Sequence, residues 1–252
     1  MIMDFRALCI FCCVLLLAAA CAPKRPPVER PPGVVWEDFW SRTPSYQEDQ
    51  PFFIRGSVNY STSREQRRVQ AVIWGFAGYP VRMDLSAGFG QTVSMWLEDK
   101  FRWEAYNPGE NTRYVHHDGS RGATLLGFPT PMDLRQTSLV LLGDFQHLIP
   151  GRYNRVESRD NMWKYYFDNS NVTSVLLDQQ GNLQWVAGDG WQVEFKGYEQ
   201  ENGLFYFSRL DMQLSGDREA VIRIQAVDME RDWDEKQMSL ELPDDTRTIF
   251  LH

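Results

Sequence analysis

The sequence predicts a mainly β protein in which one large, curved antiparallel sheet faces a few short helices. Short runs of alternating apolar and polar residues recur from residue 52 onward, and this period of two is typical of strands with one buried and one solvated face. Turn residues such as Asn107-Pro108-Gly109 and Gly188-Asp189-Gly190 separate the runs, as hairpin connections require. Two other stretches repeat apolar residues at helical spacing, which predicts the helices.

Residues 1–20 have the organisation of a secretory signal peptide. Arg6 precedes an unbroken apolar run from Ala7 to Ala20, which small residues close. The run has about 14 residues, fewer than the roughly 20 that a membrane-spanning helix needs. Leu17-Ala18-Ala19-Ala20-Cys21 resembles a bacterial lipobox, in which the cysteine thiol receives a diacylglycerol and becomes the new N-terminus. The alternative is an ordinary signal peptide followed by a chance cysteine.

Cysteine usage and charge agree with lipidation at Cys21. Cys9, Cys12 and Cys13 lie inside the predicted signal peptide, so the mature chain keeps one cysteine. That excludes an internal disulfide and a cysteine-based zinc site. The formal net charge is −8, and an acidic chain gains nothing by charge from anionic lipid or nucleic acid. We therefore expect acyl chains on Cys21 to hold the protein at a membrane, with no nucleic-acid partner.

Residues 21–35 are predicted to form a lipidated, proline-rich tether, and residues 36–252 a single domain. Five prolines in this stretch favour extended polyproline geometry over helix. The residue after the cysteine is Ala22 and not Asp. By resemblance to known lipoprotein sorting, this favours an anchor in the outer membrane with the domain facing the periplasm.

Two helices are predicted in the domain. Trp36, Phe39 and Trp40 share one helical face at its start. Residues 130–134 predict the beginning of a second helix, with Thr130 as N-cap and Pro131 in the first turn. Gly143 is placed where that helix would end.

The alternating runs predict strands along the rest of the domain, and a further short helical turn is predicted over residues 124–128. The predicted strands are 52–60, 69–76, 81–85, 92–98, 101–106, 112–116, 163–167, 174–178, 183–187, 191–195, 204–209, 210–214, 220–227 and 238–242.

Catalytic motifs are absent from the sequence, and neither an enzyme nor a cofactor is expected. No Gly-x-Ser-x-Gly elbow, Ser-x-x-Lys pair, Walker loop or His-Glu-x-x-His motif occurs. His116-His117-Asp118 is the only histidine cluster, and neighbouring strand residues point to opposite faces. We expect these histidines to be solvated turn residues and not metal ligands. Hydrolysis by a carboxylate pair stays open, since acids are abundant but nothing marks one pair.

Several ordered segments resemble the LolB family, outer-membrane lipoproteins that receive other lipoproteins from the carrier LolA. The segments are 55–60, Trp74, 81–90, 127–135, 141–144, 191–198 and 210–214. The similarity covers roughly residues 36–230 and implies an open half-barrel of antiparallel strands with a few short helices covering an apolar cavity. Residues 164–185 and the tail after Asp228 are longer than the family pattern, so the cargo can differ.

The resemblance implies a function. The cavity would bind the acyl chains of lipoproteins or another lipid, a LolA-like periplasmic carrier would be a partner, and the cargo would be delivered to the outer membrane. Alternation assigns the more apolar side of each strand to the interior. The side chains expected to line the core or the cavity are Val58, Met83, Leu85, Met95, Trp191, Val193, Leu210, Met212 and Leu214.

The turn Gly88-Phe89-Gly90 is the predicted membrane-transfer loop. Glycine on both sides allows a tight turn, and a large aromatic at its tip has few neighbours to bury it. In the LolB family the matching loop carries a protruding apolar residue that hands cargo to the membrane, and Phe89 falls at that position. The alternative is that Phe89 folds back and plugs the end of the sheet.

A second function class stays open beside lipid transfer. The same fold could serve a structural or assembly lipoprotein that holds a protein partner in the periplasm. Lipid that co-purifies with the domain would favour transfer, whereas a stable protein partner would favour assembly.

Replacing Cys21 tests the prediction that this residue carries the lipid anchor. Cys21→Ser is expected to leave unprocessed precursor, or a soluble form cut at another site, because the acylated thiol is lost. Mass spectrometry of the wild-type mature N-terminus is the measurement, and a terminus without acyl groups would contradict the assignment.

Overall fold

A computed structural model describes residues 29–88, 90–127, 132–201, 204–234 and 236–252. The chain divides into two units after residue 30, and only Glu29 and Arg30 of the first unit are described. The helices in the described part of the second unit are α1 Pro32–Arg42, α2 Gly119–Leu125 and α3 Leu134–Leu141. Its strands are β1 Pro51–Ser61, β2 Gln66–Phe76, β3 Val81–Ala87, β4 Gln91–Glu98, β5 Trp103–Asn107, β6 Thr112–His116, β7 Arg155–Arg159, β8 Met162–Tyr166, β9 Val172–Asp178, β10 Leu183–Gly188, β11 Trp191–Glu201, β12 Leu204–Leu214, β13 Arg218–Asp228 and β14 Arg247–Phe250.

All fourteen strands belong to one open sheet. Their order is β14-β6-β5-β4-β3-β2-β1-β13-β12-β11-β10-β9-β8-β7. Neighbours pair antiparallel, except that β14 pairs parallel with β6. The sheet does not close on itself, so β14 and β7 are its edges. The predicted fold class is therefore confirmed.

One face of the sheet, called here the inner face, is apolar and packs against the helices. Directly paired residues on neighbouring strands share a face, and Ile54 pairs with Ile73, which in turn pairs with Met83. All three side chains are buried. The residues that alternate with them, such as Arg55 and Asp84, belong to the opposite, outer face. The alternation in the sequence is thus used as predicted through the centre of the sheet.

α1 begins inside the stretch that the sequence assigned to the tether. Pro31 is its N-cap and Pro32 its first residue, where the missing N–H of proline removes no helical hydrogen bond. Val35 and Trp36 are buried, and Trp36 Nε1 donates to the carbonyl of Gly151 at 3.3 Å. Residues 32–35 therefore belong to the domain. The prolines predicted a tether here, but proline breaks a helix only in its interior and not at its first position.

α3 begins later than predicted. Its N-cap is Asp133, whose carboxylate accepts from the Gln136 backbone N–H at 2.6 Å, while the Gln136 side chain accepts from the Asp133 N–H at 3.3 Å. This reciprocal capping box fixes the first turn. The predicted N-cap Thr130 and Pro131 lie outside the described residues. Gly143 has a φ of 79° just after the helix, which confirms the predicted stop.

Corrections elsewhere concern short or edge elements. The helical turn predicted over 124–128 forms earlier, as α2, because Asp118 caps it by accepting from the Arg121 N–H at 3.0 Å. β7 and β14 were not predicted. β7 is almost wholly exposed, so its sequence lacks an apolar alternation.

No helix of the described residues is long and apolar enough to cross a membrane.

The prediction of a strand at 238–242 is wrong. Residues 229–234 and 236–246, between β13 and β14, belong to no strand, and this segment crosses the outer face of the sheet. The Trp233 ring stacks on Phe53 with ring centroids 6.3 Å apart, and the Arg82 guanidinium donates to the Ser239 carbonyl at 2.7 Å. Met238 is buried against the sheet. The alternation in this segment reflects packing on the sheet and not a place within it.

Candidate functional site

The centre of the inner face holds a small apolar cavity beneath α3. Its volume is about 20 Å³, which is close to the space that a single water needs. The cavity is lined by Ile54, Gly56, Ser57, Val58, Ala71, Ile73, Met83, Thr137, Leu141, Ile222 and Ile224. Helix and sheet are therefore nearly in full contact in this structure, and a long ligand enters only if α3 moves.

α3 presents an apolar surface to the sheet although two of the buried residues on it carry hydroxyl groups. Thr137 Oγ1 donates to the Asp133 carbonyl and Ser138 Oγ donates to the Leu134 carbonyl, both at 2.8 Å. These bonds back onto the preceding turn satisfy the hydroxyls within the helix. The methyl group of Thr137 and the side chain of Leu141 are left to face the sheet. The hydroxyl groups of α3 thus need no partner from the contact between α3 and the inner face, which is called here the seam.

A few contacts hold α3 at its ends. The Glu98 carboxylate, at the end of β4, accepts from the backbone N–H of Leu134 at 2.6 Å and of Arg135 at 3.3 Å. These bonds satisfy N–H groups that have no partner within the helix. At the other end, the Tyr46 hydroxyl donates to the Leu142 carbonyl at 3.1 Å. Polar contacts therefore hold α3 at its two ends, while buried side chains between them, such as Leu141, pack on the inner face.

Glu98 is an unusual carboxyl group because it is only 4% exposed. Burial raises its pKa to about 8, the nearby Asp133 carboxylate raises it as well, and the N–H donors of Leu134 and Arg135 oppose the rise. Burial also raises the pKa of Asp133, and the Asp118 carboxylate adds to that rise. A group that titrates near neutral pH therefore lies at the beginning of the helix that covers the cavity.

Of the nine side chains predicted to line the core or cavity, six are buried. They are Val58, Met83, Leu85, Val193, Leu210 and Met212. Two of these, Val58 and Met83, line the cavity beneath α3, and the other four pack elsewhere in the core. Trp191 and Leu214, near one end of β11 and β12, are only partly buried. The predicted set thus identifies the inner face better than it identifies the cavity.

Met95 is a correction, because it lies on the outer face. It pairs with Asp84, which alternates with the buried residues Met83 and Leu85. In β4 the apolar residues Met95 and Leu97 share the outer face, whereas the inner face carries Trp96, whose ring packs on Trp103 at 5.0 Å. Counting apolar residues along this one strand selected the wrong face, since a single large aromatic decides the burial.

Sequence reasoning missed the part of the cavity formed by α3, β2 and β13. Ala71 and Ile73 lie in the predicted strand 69–76, where apolar residues on both faces hide the alternation. Thr137 was overlooked because it is polar. The helical spacing of Leu134, Ser138 and Leu141 was the available signal for α3, but spacing alone does not show which strands a helix covers.

The predicted anchor and transfer residue lie outside the described residues. This holds for Cys21 and for Phe89. Gly88 and Gly90 are described, with φ of 55° and 91°, so both need the conformational freedom of glycine. A side-chain carbon built on either glycine would meet no atom within 4 Å. The two glycines therefore stand in open space at the end of the β3–β4 hairpin.

The predicted exposure holds for His117 but not for His116. His116 is buried and not solvated, and its ring stacks on His117 with centroids 4.5 Å apart. The two rings come together because His117 lies beyond the end of β6, where the alternation of a strand no longer applies. Within the described ranges, no cluster of three or more His, Cys, Asp or Glu residues could hold a metal ion.

Known structures share this fold at low sequence identity. A LolA superfamily protein from Nitrosomonas europaea is 11% identical with a TM-score of 0.56, and the match covers 82% of this chain and 97% of that chain. A DUF1329 family protein from Desulfovibrio piger is 9% identical with a TM-score of 0.54, covering 82% and 96%. A domain from Vibrio parahaemolyticus, whose name refers to outer membrane lipoprotein sorting, is 9% identical with a TM-score of 0.51, covering 81% and 94%.

These matches support a LolA/LolB-like fold without singling out LolB. No protein-family model matches the sequence, and no curated protein matches it. The fold and the apolar seam beneath α3 are therefore the two structural features from which a function can be inferred.

The raised pKa of Glu98 predicts a pH dependence of stability. The folded protein holds a proton on Glu98 up to about pH 8, whereas the unfolded chain releases it near the ordinary value of 4.5. The folded state binds more protons in this window, so the free energy of unfolding should fall by up to a few kcal/mol as pH rises through it. Glu98→Gln removes the titration and keeps an acceptor for the Leu134 N–H.

Urea unfolding at several pH values measures this effect. The Glu98→Gln protein should lose less stability than the wild type between about pH 4.5 and 8, and Glu157→Gln, at an exposed glutamate, is the matched control. Equal pH profiles for wild type and Glu98→Gln would show that Glu98 is not the titrating group.

Proposed function

We propose that this protein is an outer-membrane lipoprotein, anchored through Cys21, that accepts an acyl chain of a lipoprotein or of another lipid between α3 and the inner face of the sheet. It then delivers that cargo to the outer membrane. The apolar seam beneath α3 is the observation that carries the proposal. The LolA-like fold supports it, and a LolA-like periplasmic carrier is the partner that we propose as donor.

The energetics of opening are compatible with this role. Moving α3 away exposes Leu141 and parts of Met83 and Ile224, at roughly 1.5–3 kcal/mol for each fully exposed side chain. Each buried methylene of an acyl chain contributes about 0.8 kcal/mol. About ten methylenes therefore offset the exposure of three such side chains. The inserted chain also covers the sheet residues that α3 leaves.

The position of the start of α1 supports delivery to a membrane. α1 starts beside the end of β8, where the Tyr165 hydroxyl donates to the Pro32 carbonyl at 2.8 Å. An even number of antiparallel pairings separates β8 from β3, so both strands end at the same side of the sheet. The turn of Gly88 and Gly90 and the start of α1 therefore lie at one end, the end that a short tether would hold toward the bilayer.

Filling the cavity tests lipid binding. Ala71→Phe places a ring in the space beneath α3, and we expect about 1–3 kcal/mol of destabilisation from overpacking. It should weaken binding of a fluorescent diacylated lipopeptide, measured by anisotropy, by about tenfold or more. Val72→Phe is the matched control, because Val72 is its neighbour on the outer face.

The two outcomes separate the function classes. Equal lipopeptide affinity for Ala71→Phe and Val72→Phe, with both proteins folded, would remove the seam as the binding site. No lipopeptide binding by the wild type, together with a protein partner that co-purifies in stable amounts, would favour the structural or assembly role instead.

The transfer role of Phe89 has its own test. Burying an exposed phenylalanine in a bilayer contributes about 2 kcal/mol, enough to orient a tethered domain without trapping it. Phe89→Glu should keep folding and lipopeptide binding but abolish transfer of the lipopeptide into liposomes. A wild-type transfer rate would contradict the role, and a protein that fails to fold would show that Phe89 plugs the sheet.

A further inference from the structure

The outer face of the sheet carries a groove that lipid transfer through the inner face does not use. Its walls are the turns at the ends of β2–β3 and β4–β5, the outer face of β4 to β6, and the segment after β13. The outer groove is lined by Tyr79, Pro80, Leu97, Asp99, Lys100, Phe101, Arg102, Glu104, Arg113, Met238, Ser239, Leu240 and Leu242. Its volume is about 580 Å³, within the usual range for small-molecule sites.

The segment that forms one wall is fixed in place on both sides of the groove. Before the groove, Arg82 donates to the carbonyls of Gln237 and Ser239 at 3.2 and 2.7 Å, and Met238 is buried. After the groove, β14 joins the sheet edge, where Arg247 pairs with Thr112. The wall is therefore a built part of the domain and not a loose tail.

Cations exceed anions in this groove although the whole chain is acidic. Glu104 is only 3% exposed, and its Oε1 lies 2.6 Å from both Arg102 Nε and Arg113 Nη2. Asp99 is also occupied, since it accepts from the backbone N–H groups of Phe101 and Arg102 at 2.7 and 2.9 Å. With Lys100 added, three cations face two anions, although Glu104 Oε1, despite lying close to both guanidinium groups, makes no hydrogen bond of good geometry among the described residues.

One hydrogen-bond donor in the groove lacks an acceptor. Arg113 Nε is covered and finds no acceptor within the part of the chain that the structure describes. A buried donor without a partner is unfavourable, and a guanidinium matches a carboxylate in shape and charge. Nε itself is covered, so an acceptor that enters the groove would meet the exposed part of the Arg113 side chain, which is 25% exposed and lines the groove.

The rest of the groove is hydrocarbon and aromatic surface. Leu97 forms the floor, Leu240 and Leu242 stand on the wall, and Tyr79 and Phe101 stand at the rim. Phe101 is 80% exposed, although exposing a large aromatic forgoes the free energy of burying it. A ligand with an apolar body would cover these side chains.

We propose that the outer groove binds a single-chain anionic amphiphile, with its carboxylate at Arg113, Arg102 and Lys100 and its hydrocarbon along Leu97, Leu240 and Leu242. The charge excess and the exposed guanidinium surface of Arg102 and Arg113 select an acid head, and the apolar lining selects a chain. This site lies on the opposite face of the sheet from the seam beneath α3. It is thus a second binding site, independent of the transfer function.

Photolabelling of the full-length lipidated protein in lipid nanodiscs tests the proposal. The probe is decanoate that carries a photoreactive diazirine, and unlabelled decanoate is the competitor. We expect saturable labelling of the peptides that contain Leu97 to Glu104 or Met238 to Leu242. Labelling should be displaced by decanoate but not by decanol, which has the chain without the charge, or by acetate, which has the charge without the chain.

Two variants should weaken the labelling. Arg113→Lys keeps the charge beside Glu104 but removes the planar guanidinium that matches a carboxylate, and it should raise the half-saturating decanoate concentration about tenfold. Leu240→Glu puts an anion in the groove wall and should raise it at least as much. Gln66→Glu is the charge control, because Gln66 is exposed at the opposite end of the strands, and it should change nothing.

The result can also overturn the proposal. Labelling that is not saturable, that decanol displaces equally well, or that is unchanged in folded Leu240→Glu protein would remove the site. Ala71→Phe, which fills the seam beneath α3, should leave this labelling unchanged. Loss of labelling in that variant would show that the probe occupies the inner seam and not the outer groove.

Discussion

An open sheet with one apolar face has to be covered, and the contact between α3 and the inner face is the constraint on which the rest of this structure depends. A helix of eight residues is about 12 Å long, and strands lie about 4.8 Å apart, so α3 covers only a few strands. The strands beneath it are β1, β2, β3 and β13. These four strands are the centre of the sheet order, so the helix closes the domain where its two halves meet.

The same contact explains why a buried acid is tolerated. Glu98 bonds the first N–H groups of α3, which are unsatisfied at any helix start, and its burial is the consequence of meeting them at the end of β4. Apolar packing beneath the helix and polar bonds at its two ends therefore act at different places. Such an arrangement lets the helix leave the sheet by breaking a few hydrogen bonds and exposing the apolar side chains beneath it, while the sheet itself stays paired.

Alternation in the sequence was sufficient for the central strands but not for the site. Residues 81–85 alternate cleanly and predict both the strand and its buried side, whereas in β4 the apolar pair Met95 and Leu97 on the outer face outnumbers Trp96, the one apolar residue buried on the inner face. The role of Glu98 could not be predicted, because its partner Leu134 lies 36 positions away in the sequence. The strand predicted at 238–242 is wrong for a related reason. A segment that lies on the face of a sheet can alternate buried and exposed side chains just as a strand within the sheet does.

Whether α3 leaves the sheet when lipid binds is the central claim, and hydrogen–deuterium exchange of the protein with and without a diacylated lipopeptide tests it most directly. The account predicts faster exchange of the amides from Thr137 to Leu141 in the lipid-bound protein, while the amides of β1 and β2 stay protected. Slower or unchanged exchange in α3, at a lipopeptide concentration that saturates the protein, would contradict it.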